Sequence, residues 1–267
     1  MAKNSLKTRK SSITKKPGFR LGMIFSGAMT ILALIFLFFY YSYKSMFANN
    51  DHFLLKRIIV RSGGWWEGKK DFVAGKLNLV PDKTHIFLLD LKKLRTTLEK
   101  EPTVEKVKVS RILPDTLKFS IIERVPKATL YNSKSPLLTD GVGMVMDRNS
   151  CIRVGSLPVI TGFKCKKKKP EPGMQLYQLL PPLKLIDLFK KQLPSLNIYF
   201  INVKNPEYYQ AWVYDRRTRR KYLFYISRKQ IPERLAKLKN AMESIRMQRP
   251  SIKEIDLRYD GQIITRH

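Results

Sequence analysis

Histidine and cysteine are scarce in this sequence, which has three histidines and two cysteines among 267 residues. The histidines, at positions 52, 85 and 267, are far apart, and neither a CxxC nor an HxxxH spacing occurs, which argues against a metal site. The GxSxG and HExxH patterns of common hydrolases are also missing. Asp140 and Asp147 flank a turn, where aspartate usually has a structural role. We therefore predict no catalytic residues, no metal and no cofactor.

Acidic residues are also few, with 21 Asp and Glu against 52 Lys and Arg, which gives a formal net charge of +31 at pH 7. Such an excess suits nucleic acid, anionic lipid or another polyanion, and composition does not choose among them. Hydrophobic residues make up 43% of the chain and aromatic residues 11%, so the charge does not indicate disorder. The length allows one or two domains with real cores.

Charge is entirely absent from residues 21–43, LGMIFSGAMTILALIFLFFYYSY. As a helix this run is long enough to cross the roughly 30 Å hydrocarbon layer of a bilayer. A cleaved signal peptide would have a shorter apolar core and a small-residue cleavage site, which Met46-Phe47-Ala48 matches poorly. A buried core helix is the other alternative, but tyrosines at one end of the run fit an aromatic belt at the membrane interface. We interpret the run as an uncleaved transmembrane helix.

The first 20 residues contain seven basic residues and no acidic one. The positive-inside rule places such a tail in the cytoplasm and the chain after Lys44 outside it. The part beyond the tail has 45 basic residues against 21 acidic ones. Outside the cytoplasm, nucleic acid is excluded as a partner, whereas cell wall polymers, anionic lipid head groups and acidic proteins remain.

Cys151 and Cys165 could form a disulfide in an oxidising compartment. Closing such a loop would stabilise the fold by about 3 kcal/mol in the loop-entropy model. Two free thiols are an equally good alternative, because the sequence does not give the Cα separation that a disulfide requires.

After the apolar run, the pattern predicts a small three-stranded sheet with two helices on one face. A strand over residues 53–61 is followed by helices over 67–79 and from Asp90, which is a good N-cap. Alternation then predicts two strands, around Val107 and around Phe119, joined by the Pro114-Asp115 turn. The apolar face of this hairpin should pack against leucines at helical spacing, namely Leu91, Leu94 and Leu98.

Beyond residue 128 short strands dominate. The Asp140-Gly141 turn predicts one hairpin, and DRRTRR joins strands at 211–214 and 222–226 in another. Helices are expected over 175–192, broken near Pro181-Pro182, and from Pro232. Alternating Ile255, Leu257 and Tyr259 predict a final strand over 254–266 with one buried face, lying at the edge of its sheet.

Five phrases in order carry a resemblance to a known family. They are Pro102 through Val109, RILPDTLKFSIIERVPKA, LLTDGVGMVMD, LPVITG and IDLRYDGQIITR. Behind a basic tail and a single anchor, these phrases resemble the FtsQ/DivIB family of bacterial cell division proteins.

The resemblance implies an α+β fold in four parts. These are a cytoplasmic tail (1–20), a transmembrane helix (21–43), a POTRA domain of β-α-α-β-β order (52–127) and a mostly antiparallel β domain with flanking helices (128–267). It also implies a scaffold of the division machinery without catalysis of its own. This single-pass protein of the inner membrane would act at the septum and bind FtsB-like and FtsL-like partners.

The resemblance also implies two partner-binding segments. The second POTRA strand is associated with recruitment, which corresponds to Lys106, Val109 and Arg111. The last strand of the β domain receives the FtsB-like segment, which corresponds to Arg258, Tyr259, Asp260 and Ile263.

Two further hypotheses remain open on the sequence. A POTRA-bearing component of secretion or envelope assembly is one, although such proteins usually carry several POTRA repeats or a membrane barrel. Contact with a polyanion is the other, based on the basic runs Lys164–Lys169 and Arg216–Lys221, although charged loops are more often simply solvated.

Overall fold

The computed structural model describes residues 17–43, 51–131, 137–151, 155–165, 169–247 and 252–267. Helix α1 (Pro17–Tyr43) contains the predicted apolar run. Its segment Phe25–Tyr43 is long and apolar enough to cross a membrane, and none of that segment is buried against the rest of the chain. Most of the basic tail lies outside the described residues.

The first folded unit is a three-stranded sheet with two helices, in the predicted order. It consists of β1 (Arg57–Arg61), α2 (Lys70–Leu77), α3 (Leu91–Leu98), β2 (Val104–Ile112) and β3 (Thr116–Glu123). The spatial order is β1-β3-β2, with β1 parallel and β2 antiparallel to the central β3. Both β1 and β2 are therefore edge strands of this sheet.

Helix α3 has the N-cap and the buried leucine face that its sequence predicts. The carboxylate of Asp90 accepts hydrogen bonds from the backbone N–H groups of Lys92 and Lys93, so it is an N-cap. Leu94 and Leu98 pack with Val107, Leu117 and Phe119 in one buried cluster, which confirms the predicted helix-on-hairpin packing.

Helix α2 and strand β1 are shorter than the periodicity predicts. Gly68 and Asn78 both have positive φ, at 70° and 52°, which confines the helix to the residues between them. Residues 51–53 form a 3₁₀ turn, so the strand begins only at Arg57. Local backbone conformation, which hydrophobic periodicity does not report, sets these boundaries.

The second unit is a nine-stranded sheet with two helices. Its elements are β4 (Ala128–Leu130), β5 (Leu137–Thr139), β6 (Val145–Asp147), β7 (Val159–Thr161), α4 (Leu180–Gln192), β8 (Leu196–Asn202), β9 (Tyr208–Asp215), β10 (Arg220–Ser227), α5 (Ile231–Met247), β11 (Glu254–Leu257) and β12 (Ile264–Arg266).

The strand order in this sheet is β12-β11-β10-β9-β8-β7-β4-β5-β6. Five of the eight described pairings are antiparallel, and the three parallel pairings are β4 with β7, β7 with β8 and β10 with β11. The fold is α+β, with a three-stranded unit of β-α-α-β-β order followed by a mostly antiparallel β unit.

Helices α4 and α5 cover one face of the large sheet. Phe189 of α4 and Leu238 of α5 join Val213 and Phe224 of the central strands in a single buried cluster. A 3₁₀ turn at Tyr177–Leu179 precedes α4, and Pro181-Pro182 lie in the first turn of the helix. The predicted break is thus the start of the helix. Proline is tolerated there because backbone N–H groups in the first turn have no partner within the helix, so the missing N–H costs nothing.

Ion pairs join the connection between the two sheets to the second unit. An Nη atom of Arg124 lies 2.9 Å from Oδ2 of Asp140, and the Lys127 ammonium lies 2.7 Å from Oδ2 of Asp187. The other oxygen of Asp140 accepts the N–H groups of Val142 and Met144. This carboxylate therefore fixes the β5–β6 turn and the interdomain connection together.

Candidate functional site

One of the two edge strands of the nine-stranded sheet is its C-terminal strand, β12. Strand β12 pairs antiparallel with β11, with Ile255 opposite Thr265, and its other side has no neighbouring strand in the described residues. Thr265 and Arg266 are exposed. A row of backbone N–H and C=O groups is thus available to an incoming extended segment.

The predicted continuous strand over 254–266 is wrong in one respect. The segment forms two strands, because a turn containing Gly261 at φ 78° reverses the chain between β11 and β12. Arg258, Tyr259, Asp260 and Ile263 lie in this turn and not on the edge strand. Glycine accepts positive φ at no steric cost, so Asp260-Gly261 was the signal for the reversal.

Asp256 and Arg258 form a tight ion pair at the start of this turn. The carboxylate of Asp256 is 1% exposed and accepts hydrogen bonds from Nε and Nη2 of Arg258 at 2.9 and 2.6 Å. Burial would raise the pKa of Asp256, but these hydrogen bonds and the nearby positive charge outweigh it and lower that pKa. The same hydrogen bonds raise the pKa of Arg258.

Arg258 also lies over aromatic rings of the exposed sheet face. Its guanidinium carbon is 4.9 Å from the ring centre of Tyr208, 5.0 Å from that of Tyr225 and 5.8 Å from that of Tyr259. These distances are in the range of cation–π attraction. Arg258 is therefore held in place by one carboxylate and three rings. In a regular strand with alternating polar residues, its side chain would instead be solvated.

Arg234 of α5 fastens the turn from the other side, and sequence reasoning missed it. Its guanidinium donates to the carbonyl oxygens of Leu257 and Tyr259 at 2.9 and 2.7 Å, and it pairs with Asp260. Arg234 is buried. It stands four residues before Leu238 on the buried stripe of the helix, and a charged residue in such a stripe is the signal that could have found it.

The remaining predicted residues of this segment differ in exposure. Tyr259 is 48% exposed, so about half of this residue is available to a partner, whereas Ile263 packs against the large core. The side chain of Asp260 is exposed but engaged by Arg234. The structure thus brings a free strand edge next to one exposed aromatic side chain and the fixed Arg258.

The second predicted site, on β2, divides into three different environments. Lys106 is exposed on the edge strand, and Val109 is partly buried against the small core. Arg111 donates through Nε to the carbonyl oxygen of Ile86 at 2.8 Å and through Nη2 to that of Leu89 at 2.6 Å. Arg111 therefore holds the loop before α3, which is a structural role.

The basic runs are only partly described. Lys166 to Lys168 lie outside the described residues. In the β9–β10 turn, Arg217 pairs with Glu243 of α5 at 2.9 Å, and Arg216 donates to the carbonyl oxygen of Pro194. Two cations of this run thus have partners within the chain.

Cys151 and Cys165 are free thiols in the structure and do not form a disulfide there. Burial, followed by the carboxylates of Glu123 and Asp147, raises the pKa of Cys151 to about 11. This thiol is protonated at neutral pH and is a poor nucleophile. Within the described ranges, His, Cys, Asp and Glu side chains form no group of three or more placed to hold a metal ion.

Comparisons with known proteins agree with this arrangement. The family described as POTRA domain, FtsQ-type matches residues 69–124. A cell division protein FtsQ of Syntrophotalea carbinolica is 31% identical over 144 residues, which cover 54% of this chain and 49% of the relative. The corresponding protein of Koribacter versatilis is 27% identical over 185 residues, which cover 67% of this chain and 51% of the relative.

A third relative, the cell division protein FtsQ of Novosphingobium aromaticivorans, is 38% identical over 75 residues, which cover 28% of this chain and 23% of the relative. The chain thus spans about half the length of two of these relatives and about a quarter of the third. The family match falls on the small α/β unit of the structure, and the three relatives carry one name. The chain is therefore similar to the FtsQ/DivIB cell division proteins, and its small α/β unit matches a POTRA domain of the FtsQ type.

Proposed function

We propose that this protein is a non-catalytic scaffold of the division machinery that captures an extended segment of a partner on strand β12. The partner would be an FtsB-like protein, acting with an FtsL-like protein. The observation that carries the proposal is the unpaired edge of β12, next to the exposed ring of Tyr259. The role in cell division rests on the similarity to the FtsQ proteins, and the choice of partners rests on what the resemblance implies.

Backbone pairing would supply most of the affinity in this mechanism. An incoming strand would satisfy N–H and C=O groups along Ile264–Arg266 and extend the sheet by one strand. The turn is already fixed by Arg234 and by the Asp256–Arg258 pair, so little conformational entropy would be lost on binding. Tyr259 would add an aromatic contact at the end of the bound strand.

Membrane attachment through α1 forms part of the proposal. The N-terminal tail would lie in the cytoplasm and both sheets outside it, since seven basic residues precede the apolar helix. The protein would then sit in the inner membrane at the division septum. The β2 edge, with Lys106 exposed, would serve as a second docking edge for recruitment.

Two measurements test the function. A fluorescent fusion of the full chain should form a band at mid-cell, and an even membrane signal in dividing cells would contradict the role in division. Removal of Ile264–His267 should abolish binding of an FtsB-like peptide in calorimetry. Because this deletion spares the turn and its Arg234 contacts, circular dichroism should remain close to that of the intact chain. Undiminished peptide binding would show that β12 is not the capture edge.

A substitution at Tyr259 distinguishes the contribution of its side chain to peptide binding from that of the β12 backbone. Tyr259→Ala should weaken peptide binding but not abolish it, because the backbone row of β12 is retained. The exposed Tyr177, which lies in the 3₁₀ turn before α4, provides the control substitution Tyr177→Ala, for which affinity should not change.

A further inference from the structure

We propose that the end of the POTRA domain at which the chain arrives from α1 docks on the lipid surface of the same membrane. We call this end, formed by Lys56, loop 80–89 and turn 112–115, the entry end. The contact would be made by Leu88, Ile112 and Leu113 together with neighbouring basic side chains. The inference rests on the proposed anchoring by α1 and is independent of the proposed partners.

Strand pairing places the β2–β3 turn beside the point of entry. Strands β1 and β3 are parallel with Arg57 opposite Thr116, so both begin at the same end of the sheet. The turn immediately precedes β3, and the N–H of Lys56 donates to the carbonyl oxygen of Asp115 at 2.9 Å. Ile112 and Leu113 therefore lie at the entry end.

Loop 80–89 lies at the same end. The N–H of Leu55 donates to the carbonyl oxygen of Thr84 at 2.8 Å, and that of Ile86 donates to Phe53 at 3.0 Å. The Arg111 guanidinium bonds to the carbonyl oxygens of Ile86 and Leu89, which joins this loop to the end of β2. Leu88 is thus held near Ile112 and Leu113 by backbone and guanidinium hydrogen bonds.

These three apolar side chains point into solvent. Leu88 is 72% exposed, Leu113 59% and Ile112 43%. Isolated exposed apolar side chains are ordinary on protein surfaces, but here three from two separate segments lie at one end. Such residues gain free energy by entering the interface of a bilayer.

Basic side chains at the entry end can reach the phosphate groups of lipid. Lys56, Arg57 and Lys83 are exposed, and long basic side chains can lay their methylene stems along lipid while the charge meets phosphate. The acidic residues there are Asp51, Asp82 and Asp115, of which Asp115 is paired with Arg57 at 3.3 Å. Basic and acidic charges are thus close in number, so the apolar residues must provide most of the contact.

The short connection to α1 is the reason that we propose lipid as the binding partner of the entry end. Residues 44–50 separate the end of α1 from residue 51. Seven residues span at most about 25 Å when fully extended. The entry end is therefore tethered within about that distance of the bilayer surface, which is present at a constant high local concentration.

Spin labelling of the full chain tests the proposal. Single cysteines at 113, at 122 and at 34 would be labelled in a Cys151→Ser, Cys165→Ser background, in nanodiscs containing phosphatidylglycerol. Ile122 is the matched control, because it is 56% exposed but lies about 20 Å along β3 from Thr116. Position 34 lies within α1 and reports insertion of the anchor.

The label at 113 should be protected from a water-soluble nickel chelate and accessible to oxygen, as the label at 34 should be, whereas the label at 122 should remain open to the chelate. Leu88→Ser with Ile112→Ser should return the label at 113 to water. A chelate-accessible label at 113 with a lipid-embedded label at 34 overturns the docking alone. Water-like behaviour at both positions overturns the anchor as well. Equal protection at 113 and 122, or protection that survives both serines, also overturns the docking.

Discussion

The Nη2 atom of Arg111 lies 2.6 Å from the carbonyl oxygen of Leu89, across the gap between the end of β2 and the loop that leads to α3. A second hydrogen bond, from Nε to Ile86, makes this guanidinium a clamp on the loop. Lys106, another basic residue of the same strand, is exposed. We therefore expect substitutions of Arg111 to affect stability and substitutions of Lys106 to affect the proposed recruitment.

We expect Arg111→Ala to lower the free energy of unfolding by about 2–3 kcal/mol, because two carbonyl groups lose a charged donor. Lys106→Ala should change it by less than about 0.5 kcal/mol. Urea denaturation of the purified protein would measure both. Equal stability of the two variants would contradict the clamp. If Lys106→Glu still localises to the septum, the recruitment role implied by the resemblance does not apply to this residue.

Phe119→Ala should destabilise the POTRA domain by about 3–5 kcal/mol, because the ring is fully buried against α3 and its removal leaves a cavity. Ile122 lies on the same strand but is largely exposed, so Ile122→Ala is the matched control and should cost much less. Chemical denaturation monitored by tryptophan fluorescence in a Trp212→Phe background, which retains only Trp65 and Trp66 of this domain, reports on its unfolding. Similar losses for both variants would mean that Phe119 is not central to the packing.

Arg258→Ala should cost about 3 kcal/mol, because it leaves the buried carboxylate of Asp256 with only the more distant guanidinium of Arg266, at 3.8 Å. Arg258 is partly exposed, which places the cost at the lower end of the range for buried pairs. Arg258→Ala with Asp256→Leu should recover part of the loss, since the buried charge is then removed as well. A single variant as stable as the native chain would contradict the buried pair.

Acid should destabilise the β unit through Asp215 and Asp256. Burial opposes ionisation of both, but hydrogen bonds from Arg246 and Arg258 outweigh it and lower both pKa values. A lowered carboxyl pKa stabilises the fold above the unfolded value of about 4, and this stabilisation is lost as pH falls through the folded pKa. These two groups should thus leave the denaturation midpoint unchanged between pH 7 and about pH 5. The midpoint should decrease when the pH falls below about 4. Asp256→Asn should reduce the acid-side slope, and an unchanged slope would argue against this assignment.

Protease added to spheroplasts should digest the chain after about residue 50 and spare an N-terminally tagged fragment that contains α1 (Pro17–Tyr43). The reason is the positive-inside rule applied to the basic tail. Immunoblotting against the tag and against the β unit would distinguish the two sides. Protection of the β unit in intact spheroplasts, with digestion only after lysis, would reverse the proposed topology.

Much of the fold could be predicted because local signals were strong and consistent. The 23-residue uncharged run, the Asp90 cap and the alternation around Val107 and Phe119 each depend on neighbours in sequence. Such signals survive without knowledge of tertiary contacts, since burial of one face repeats with the period of the element. The β-α-α-β-β order of the POTRA domain followed directly from them.

The candidate site was only half predictable. The sequence by itself determined that Ile255 and Leu257 belong to a buried strand and that Asp260-Gly261 favours a turn. Only the tertiary structure decided that β12 occupies the sheet edge, that Arg258 lies between Asp256 and three tyrosine rings, and that Arg234 fastens the turn. Each of these depends on contacts between residues distant in the chain, or on a reversal set by one positive φ. Because the side-chain pattern of a strand repeats every two residues, it identifies the buried face of that strand but carries no information on its neighbours in the sheet.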